Sequence, residues 1–374
     1  MKIRLVKPYV GKNELEKLKE VIDRAWLGRG PLCVEFEKKW SEFLGVKSSS
    51  SVNSGTAALH LAVMIYKFPK NKKILIPAMT FCSTANAAIY NGLEPVFVDI
   101  EEETLSIDIY DMKQKYSKDC VAVIPVHFGG HPAKMDEIVP WAHNNGMKVI
   151  SDCAHCAGGG EYKGKKLGTW SDISCFSFQE KKIIATGDGG MISSNNVELI
   201  DKINILKEVG MTTDTFTRYT RDSDNHLHWL YDVKDLGYKY NMCDVIAAIG
   251  IAQLEKIEKI NNSRINIINK FLEGIKDCKF IKPAFPYDKR IPYYDFMVRL
   301  KSKEIRDKFI VYMQSKGIST GVHTMPVPYL SYYKKFNAKI PNAMRIWEEY
   351  VVLPLYVDMN EKNIDFIIES IVKF

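Results

Sequence analysis

Through the first two-thirds of the chain, short apolar runs alternate with longer stretches of mixed character. The runs at 74–78, 95–100, 121–127, 148–152, 173–178 and 190–193 predict strands. Several are almost continuously apolar, the mark of strands covered on both faces. Between them, 56–66 carries Leu59, Val63 and Tyr66 along one side and predicts an amphipathic helix. Such alternation argues for an α/β domain built on a mostly parallel sheet. After about residue 250 the texture changes. Positions 245–260 read as one long helix with Ile249, Leu254 and Ile257 toward one side. Further helices are expected at 303–316, stopped by Gly317, and at 361–372, both preceded by a strand at 295–300. The division expected is a large domain over 1–250 and a smaller α+β domain over 251–374. Positions 211–231 are polar and read as a long loop, a length that inside compact domains goes with function or mobility.

Composition narrows the function class. The 374 residues have room for two domains, and 46% hydrophobic with 26% charged residues is an ordinary globular balance. The formal charge of +7 is dispersed, without a run of five like charges, which speaks against a nucleic-acid arm. The first residues lack the apolar core of a signal peptide, and no stretch reaches the ~18 apolar residues of a membrane span. The expected location is the cytoplasm, with no membrane partner. The 8 cysteines have no disulfide-framework spacing. Cys153 and Cys156 form a CxxC, yet no second pair completes a zinc set, so packed thiols and no metal are expected.

Three short segments carry candidate chemistry. Asn53-Ser54-Gly55-Thr56-Ala57 opens a helix, where unpaired N–H groups, a hydroxyl and a glycine that admits close approach can cradle an anion; alone it also reads as a plain N-cap. Ser151-Asp152-Cys153-Ala154-His155 ends a buried strand, so the Asp152 carboxylate needs a partner: a protonated pyridine nitrogen or a structural cation. Phe176-Ser177-Phe178-Gln179-Glu180-Lys181-Lys182 ends another strand and leads into the glycine-rich IIATGDGG. A lysine at the mouth of an apolar sheet has its ammonium form disfavoured, which makes it a candidate amine nucleophile.

In this order on strand ends, the segments resemble the DegT/DnrJ/StrS family of sugar aminotransferases. The matching stretches are WLGRGPLCVEFEKKW (26–40), VNSGTAALHLAV (52–63), IPAMTFCSTANAAIYNGLEPVFVDI (76–100), VHFGGHPAKMDEI (126–138), ISDCAHCAGG (150–159), FSFQEKKIIATGDGGMI (176–192), GYKYNMCDVIAAIGIAQL (237–254) and LPLY (353–356). The resemblance implies the aspartate-aminotransferase type of fold (fold type I) and pyridoxal 5'-phosphate (PLP) as cofactor. It further implies that Lys182 forms the Schiff base, with Lys181 a bystander. Asp152 would keep the pyridine nitrogen protonated, His155 would sit near the phenolic oxygen, and Phe81 would stack on the ring. Thr56, Ala57 and Ser177 would cradle the phosphate, with Gly55 allowing close approach. Where many members read G-Y-N-Y-R, this chain has Gly237-Tyr238-Lys239-Tyr240-Asn241, and either Lys239 or Asn241 would reach the partner's phosphate in a homodimer. The usual G-E-G-G is Gly187-Asp188-Gly189-Gly190 here.

The implied reaction moves an amino group from a donor, glutamate, to a keto sugar carried on a nucleotide, a 4-keto-6-deoxy hexose before a 3-keto one. Arg29, Arg218, Arg221 and His323 are available to a diphosphate-linked substrate; pairing of the arginines with surface carboxylates is the alternative. A related sugar dehydratase carries histidine in place of the lysine, which Lys182 argues against. A transaminase of a non-nucleotide cyclic ketone such as an inosose, and a non-catalytic PLP-binding regulator, are the other readings.

Overall fold

The computed structural model describes residues 2–213, 215–220 and 230–374. Its centre is a seven-stranded sheet of β1 (Ser48–Val52), β2 (Lys73–Pro77), β3 (Glu94–Val98), β4 (Cys120–Val123), β5 (Lys148–Asp152), β8 (Ile173–Ser177) and β9 (Gly190–Ser194), in the order β1-β9-β8-β5-β4-β2-β3. A two-residue-per-strand hairpin, β6 (Glu161–Tyr162) with β7 (Lys165–Lys166), lies outside it. The pairings β2·β3, β2·β4, β4·β5 and β5·β8 are parallel, and β9 runs antiparallel to both neighbours, so β1 points the same way as β8. The sheet is mostly parallel, as expected from continuous apolar runs such as Ile74-Leu75-Ile76, all fully buried. One consequence positions everything that follows. The carboxyl ends of β1, β2, β5 and β8 share one edge, the place where open α/β sheets hold ligands.

The strands lie within a few residues of their expected places, but β1 has no counterpart among the sequence-predicted elements. The helix expected at 56–66 runs Gly55–Met64 and is not amphipathic: Ala57 through Val63 are all buried, because the sheet lies on one side and other helices and loops on the rest. The single helix expected at 245–260 is two, Asp244–Glu255 and Ile257–Ile275, broken at Lys256, whose φ of −110° and ψ of 16° leave the helical region. Part of the expected 211–231 loop is a helix, Thr215–Thr220.

Beyond the Ile257–Ile275 helix, β10 (Ile281–Pro283), β11 (Phe296–Leu300) and β12 (Tyr350–Leu353) form an antiparallel sheet. Phe271, Phe296, Phe309, Tyr350 and Ile367 pack its core. Just before β11 the chain returns to the large sheet. Gly129 O accepts hydrogen bonds from both Tyr294 N (3.0 Å) and Asp295 N (3.2 Å). The buried Arg264 donates from Nε to Tyr293 O at 2.9 Å and from a terminal nitrogen to Tyr294 O. The approach needs glycine: Gly129 and Gly130 have φ of +63° and +89°, and a Cβ on Gly130 would lie 2.9 Å from Tyr294 N.

Candidate functional site

At the end of β5, Asp152 is buried with 5% exposure. Its Oδ2 accepts from Thr84 Oγ1 at 2.8 Å and its Oδ1 from Ala154 N at 3.1 Å. Thr84 in turn shares a 2.6 Å contact with Thr80 Oγ1. Among the described residues Asp152 makes no ion pair. Burial pushes its carboxyl up, while the Thr84 and Ala154 bonds and the charges of Lys182 and His127 pull it back.

Lys182 stands in the turn after β8, with its N–H bonded to Gln179 O at 2.8 Å. Burial brings its amine down to about 8, even though Asp295 and Asp152 favour the charged form. The amine has no hydrogen bond or ion pair among the described residues; Nζ lies 4.5 Å from the centroid of the Tyr294 ring. Lys181 points outward and is exposed. The same Tyr294 ring stacks on His155, centroids 4.3 Å apart and planes 16° apart. Gly129 N donates to His155 Nδ1 at 3.1 Å, so Nδ1 is the acceptor and the ring proton sits on Nε2. Burial, then the charges of Lys182 and His323, hold this imidazole neutral, well below its ordinary range. His323 completes the row: its ring lies 5.9 Å from Tyr294 at 15°, and its Nε2 is 2.8 Å from Asp295 Oδ2.

The Gly55–Met64 helix begins beside this cluster. Ser54 caps it by accepting from Ala57 N at 3.1 Å, so the Ala57 N–H is already taken. Those of Gly55 and Thr56 find no acceptor among the described residues. Thr56 Oγ1 meets Ser83 Oγ at 2.6 Å. A Cβ on Gly55 would sit 2.8 Å from Ser177 Cβ, and one on Gly190 only 2.5 Å from Ser54 O. Only glycines leave this cradle open. Phe81, at the N-cap of helix Cys82–Tyr90, exposes 63% of a large apolar ring next to it. Lys182, Asp152, His155, His323, Gly55, Thr56, Ser177 and Phe81 are thus gathered at one edge.

The other expected site residues lie further out. Asn53 N bonds Tyr240 O at 2.7 Å, which brings the 237–241 segment beside the cradle. There Lys239 Nζ pairs with Glu208 at 2.9 Å, and Asn241 Nδ2 donates to Met242 O at 3.2 Å. Arg29 lies against the same Glu208 at 3.7 Å. Arg218 lies over the Tyr231 ring at 4.7 Å. Arg221 is outside the described residues. Cys153 and Cys156 are buried free thiols. A cavity of about 480 Å³ elsewhere, beside β10 and β11, has Arg299 in its wall paired with Glu102 (3.0 Å) and Glu349 (2.5 Å), and it holds none of the site residues named above. The chemistry is not there.

Sequence reasoning missed Thr80, Thr84, Tyr294 and Asp295. The i, i+4 spacing of the two threonines around Phe81 was a usable signal; nothing local marks Tyr294.

The chain is also similar to known proteins. The DegT/DnrJ/EryC1/StrS aminotransferase family matches residues 8–372. The spore coat polysaccharide biosynthesis protein SpsC of Bacillus subtilis is 35% identical over 373 residues, covering 97% of this chain and 95% of its own. GDP-perosamine synthase of Escherichia coli O157:H7 is 31% identical over 382 residues, covering 100% and 98%. The PMP-form structure of the putative sugar aminotransferase Spr1654 from Streptococcus pneumoniae superposes with a TM-score of 0.92 at 25% identity, over 98% of each chain.

Proposed function

The chain belongs to the DegT/DnrJ/EryC1/StrS aminotransferase family, and from that premise we propose that it transfers an amino group from glutamate to the ketone of a nucleotide-linked sugar, a 4-keto-6-deoxy hexose before a 3-keto one. It is a PLP-dependent sugar aminotransferase. The observation that carries the proposal is the convergence of an amine and a buried carboxylate, neither in an ion pair among the described residues, with a neutral histidine. These residues fit the cofactor. Asp152 would face the ring nitrogen, Phe81 the ring, and His155 the phenolic oxygen, with Nε2–H as donor. The N–H groups of Gly55 and Thr56, with the Thr56 and Ser177 hydroxyls, would hold the phosphate, a helix-start anion site. Ala57 contributes by shape, its N–H being spent on Ser54.

Bound there, the cofactor supplies an electron sink that acidifies the C–H bond beside the nitrogen. Lys182 Nζ first holds the cofactor and, once released, takes the proton from the donor's α-carbon and hands it on. An amine lowered to about 8 is matched to both duties near neutral pH. Asp152 is the anion that a protonated ring nitrogen would meet, already desolvated and oriented by Thr84 and Ala154. The keto sugar then accepts nitrogen by the reverse sequence of proton movements.

The nucleotide is supported by the relative named for GDP-perosamine, and a role in amino sugars of surface polysaccharide by the spore coat relative. Arg29, Arg218, Arg221 and His323 are the proposed substrate contacts. Arg29 and Lys239 both lie against the Glu208 carboxylate, which sets two cations close to the cradle. Lys239 or Asn241 would serve the partner's phosphate in a homodimer. All 8 cysteines being free suits the cytoplasm. The test is a panel of nucleotide-linked keto sugars with glutamate, read by mass spectrometry, alongside the free sugars and inososes. A nucleotide-linked ketone should react best; equal kcat/KM for a free sugar or an inosose would overturn the reading.

A further inference from the structure

We propose that Tyr294 is a positioning residue for Lys182: its ring face holds the amine while it is detached and carrying a proton. The proposal rests on Lys182 being the working lysine, as argued above.

The geometry around Lys182 is unusual in what it withholds. Lys182 is half-buried, and an amine withdrawn from much of the solvent ordinarily finds a carboxylate or a ring of carbonyls. Here, among the described residues, Nζ has neither, and it lies over the Tyr294 ring at 4.5 Å. That ring is fixed with more care than packing alone demands. Its own N–H is tied to Gly129 O and its carbonyl to Arg264, one face stacks on His155, and it is 5% exposed. The bonds at 293–295 tie this segment to the turn at 128–130 and to the Ile257–Ile275 helix.

A carboxylate in direct contact would bind the ammonium tightly and lock it in the charged form. An aromatic face attracts the same cation more weakly, without a full counter-charge. For a group that must alternate between free base and acid, the weaker hold is the useful one. The other groups bearing on Nζ come from every neighbouring element. They are Asp152 at the end of β5, Cys156 and His155 just after it, Lys181 in its own turn, and Asp295 with His323 beside β11. None of them forms a hydrogen bond or ion pair with Nζ.

The experiment separates the ring's charge distribution from its bulk. Full-length protein stripped of cofactor is labelled with acetic anhydride across a pH series. Acetylation is assigned to Lys182 rather than Lys181 by fragment mass spectrometry. The wild-type midpoint is expected near 8. Tyr294→Phe keeps the face and should keep the midpoint. Phenylalanines bearing one, two and three ring fluorines at 294 keep size and burial but progressively empty the π-face, and should lower the midpoint stepwise, by about half a unit or more in all. The same series in the loaded enzyme should lower kcat with KM for glutamate little changed. An identical midpoint across the fluorinated series would overturn the proposal, as would a Tyr294→Phe shift as large as theirs, which would assign the effect to the hydroxyl. Failure of the underlying reading is seen separately: borohydride would then fix the cofactor to a lysine other than Lys182, whatever the midpoints.

Discussion

At the scale of single residues, the two adjacent lysines make the sharpest contrast. Lys182 turns into the cluster and Lys181 out to solvent, although no local feature of the sequence separates them. Lys182→Ala should abolish covalent cofactor attachment and transamination, and Lys181→Ala should leave both nearly intact. Borohydride reduction and peptide mapping check this, and a pyridoxyl group on Lys181 would refute it. The lowered lysine also fixes a pH dependence. Only the neutral amine attacks an aldehyde, so the rate of cofactor capture by the stripped protein should rise with pH through a midpoint near 8, rather than near the ordinary 10.5. Stopped-flow absorbance follows it. Asp152 gives a further test. Thr84→Val preserves shape but removes the 2.8 Å hydroxyl bond to the carboxylate. Losing a hydrogen bond to a charged group costs about 1.5–3 kcal/mol, roughly tenfold or more in cofactor affinity by equilibrium dialysis. Unchanged affinity would show that Thr84 is only packing.

At the scale of elements, legibility followed hydrophobicity. Apolar strands such as β2 and β5 could be read directly, because burial on both faces leaves an unbroken run. The strand β1 could not: it is Ser48-Ser49-Ser50-Ser51-Val52, a sequence that reads as a turn or loop. Its three buried serines are accommodated by hydrogen-bonding their hydroxyls, not by avoiding them. Ser49 meets Ser41 and Ser193 at 2.9 Å each, Ser50 donates to Asn204 at 2.8 Å, and Ser51 gives Glu37 both its N–H (2.8 Å) and its hydroxyl (2.7 Å). Lys207, fully buried, closes the network on Glu37 at 2.8 Å and Ser51 O at 3.0 Å. Periodicity has no term for such a strand. The same limit hid Tyr294, whose role depends on a turn meeting a distant strand end. Lys207→Met should cost about 3–5 kcal/mol, because the Glu37 carboxylate would lose its ion pair in the interior. Urea midpoints with an unchanged slope would measure it; a loss below 1 kcal/mol would mean water reaches Glu37.

For the whole molecule, the edge that gathers the site also carries the 237–241 segment, and on the proposed dimer that segment serves the other subunit. Two inactive variants should then rescue each other. Mixing Lys182→Ala with a chain altered at both Lys239 and Asn241 should restore one intact site per heterodimer, about a quarter of wild-type activity if half the chains pair across types. A fully active monomer in sedimentation would exclude it.

The bonds from Gly129 to Tyr294 and Asp295 also have a consequence for how the chain is made. A ribosome that has delivered the protein as far as Met242 has already released Lys182, Asp152 and the Gly55 turn. The wall against which the lysine is desolvated is still unsynthesised. Until it arrives, the amine is an ordinary solvated ammonium and a poor trap for aldehydes. The earliest residues wait longer still: Ile3 N bonds Gly317 O, and Leu5 O accepts from Leu355 N. Cofactor capture is therefore a late event in the life of the nascent chain, and a stalled or clipped product that ends before β11 carries the reactive lysine without the means to arm it.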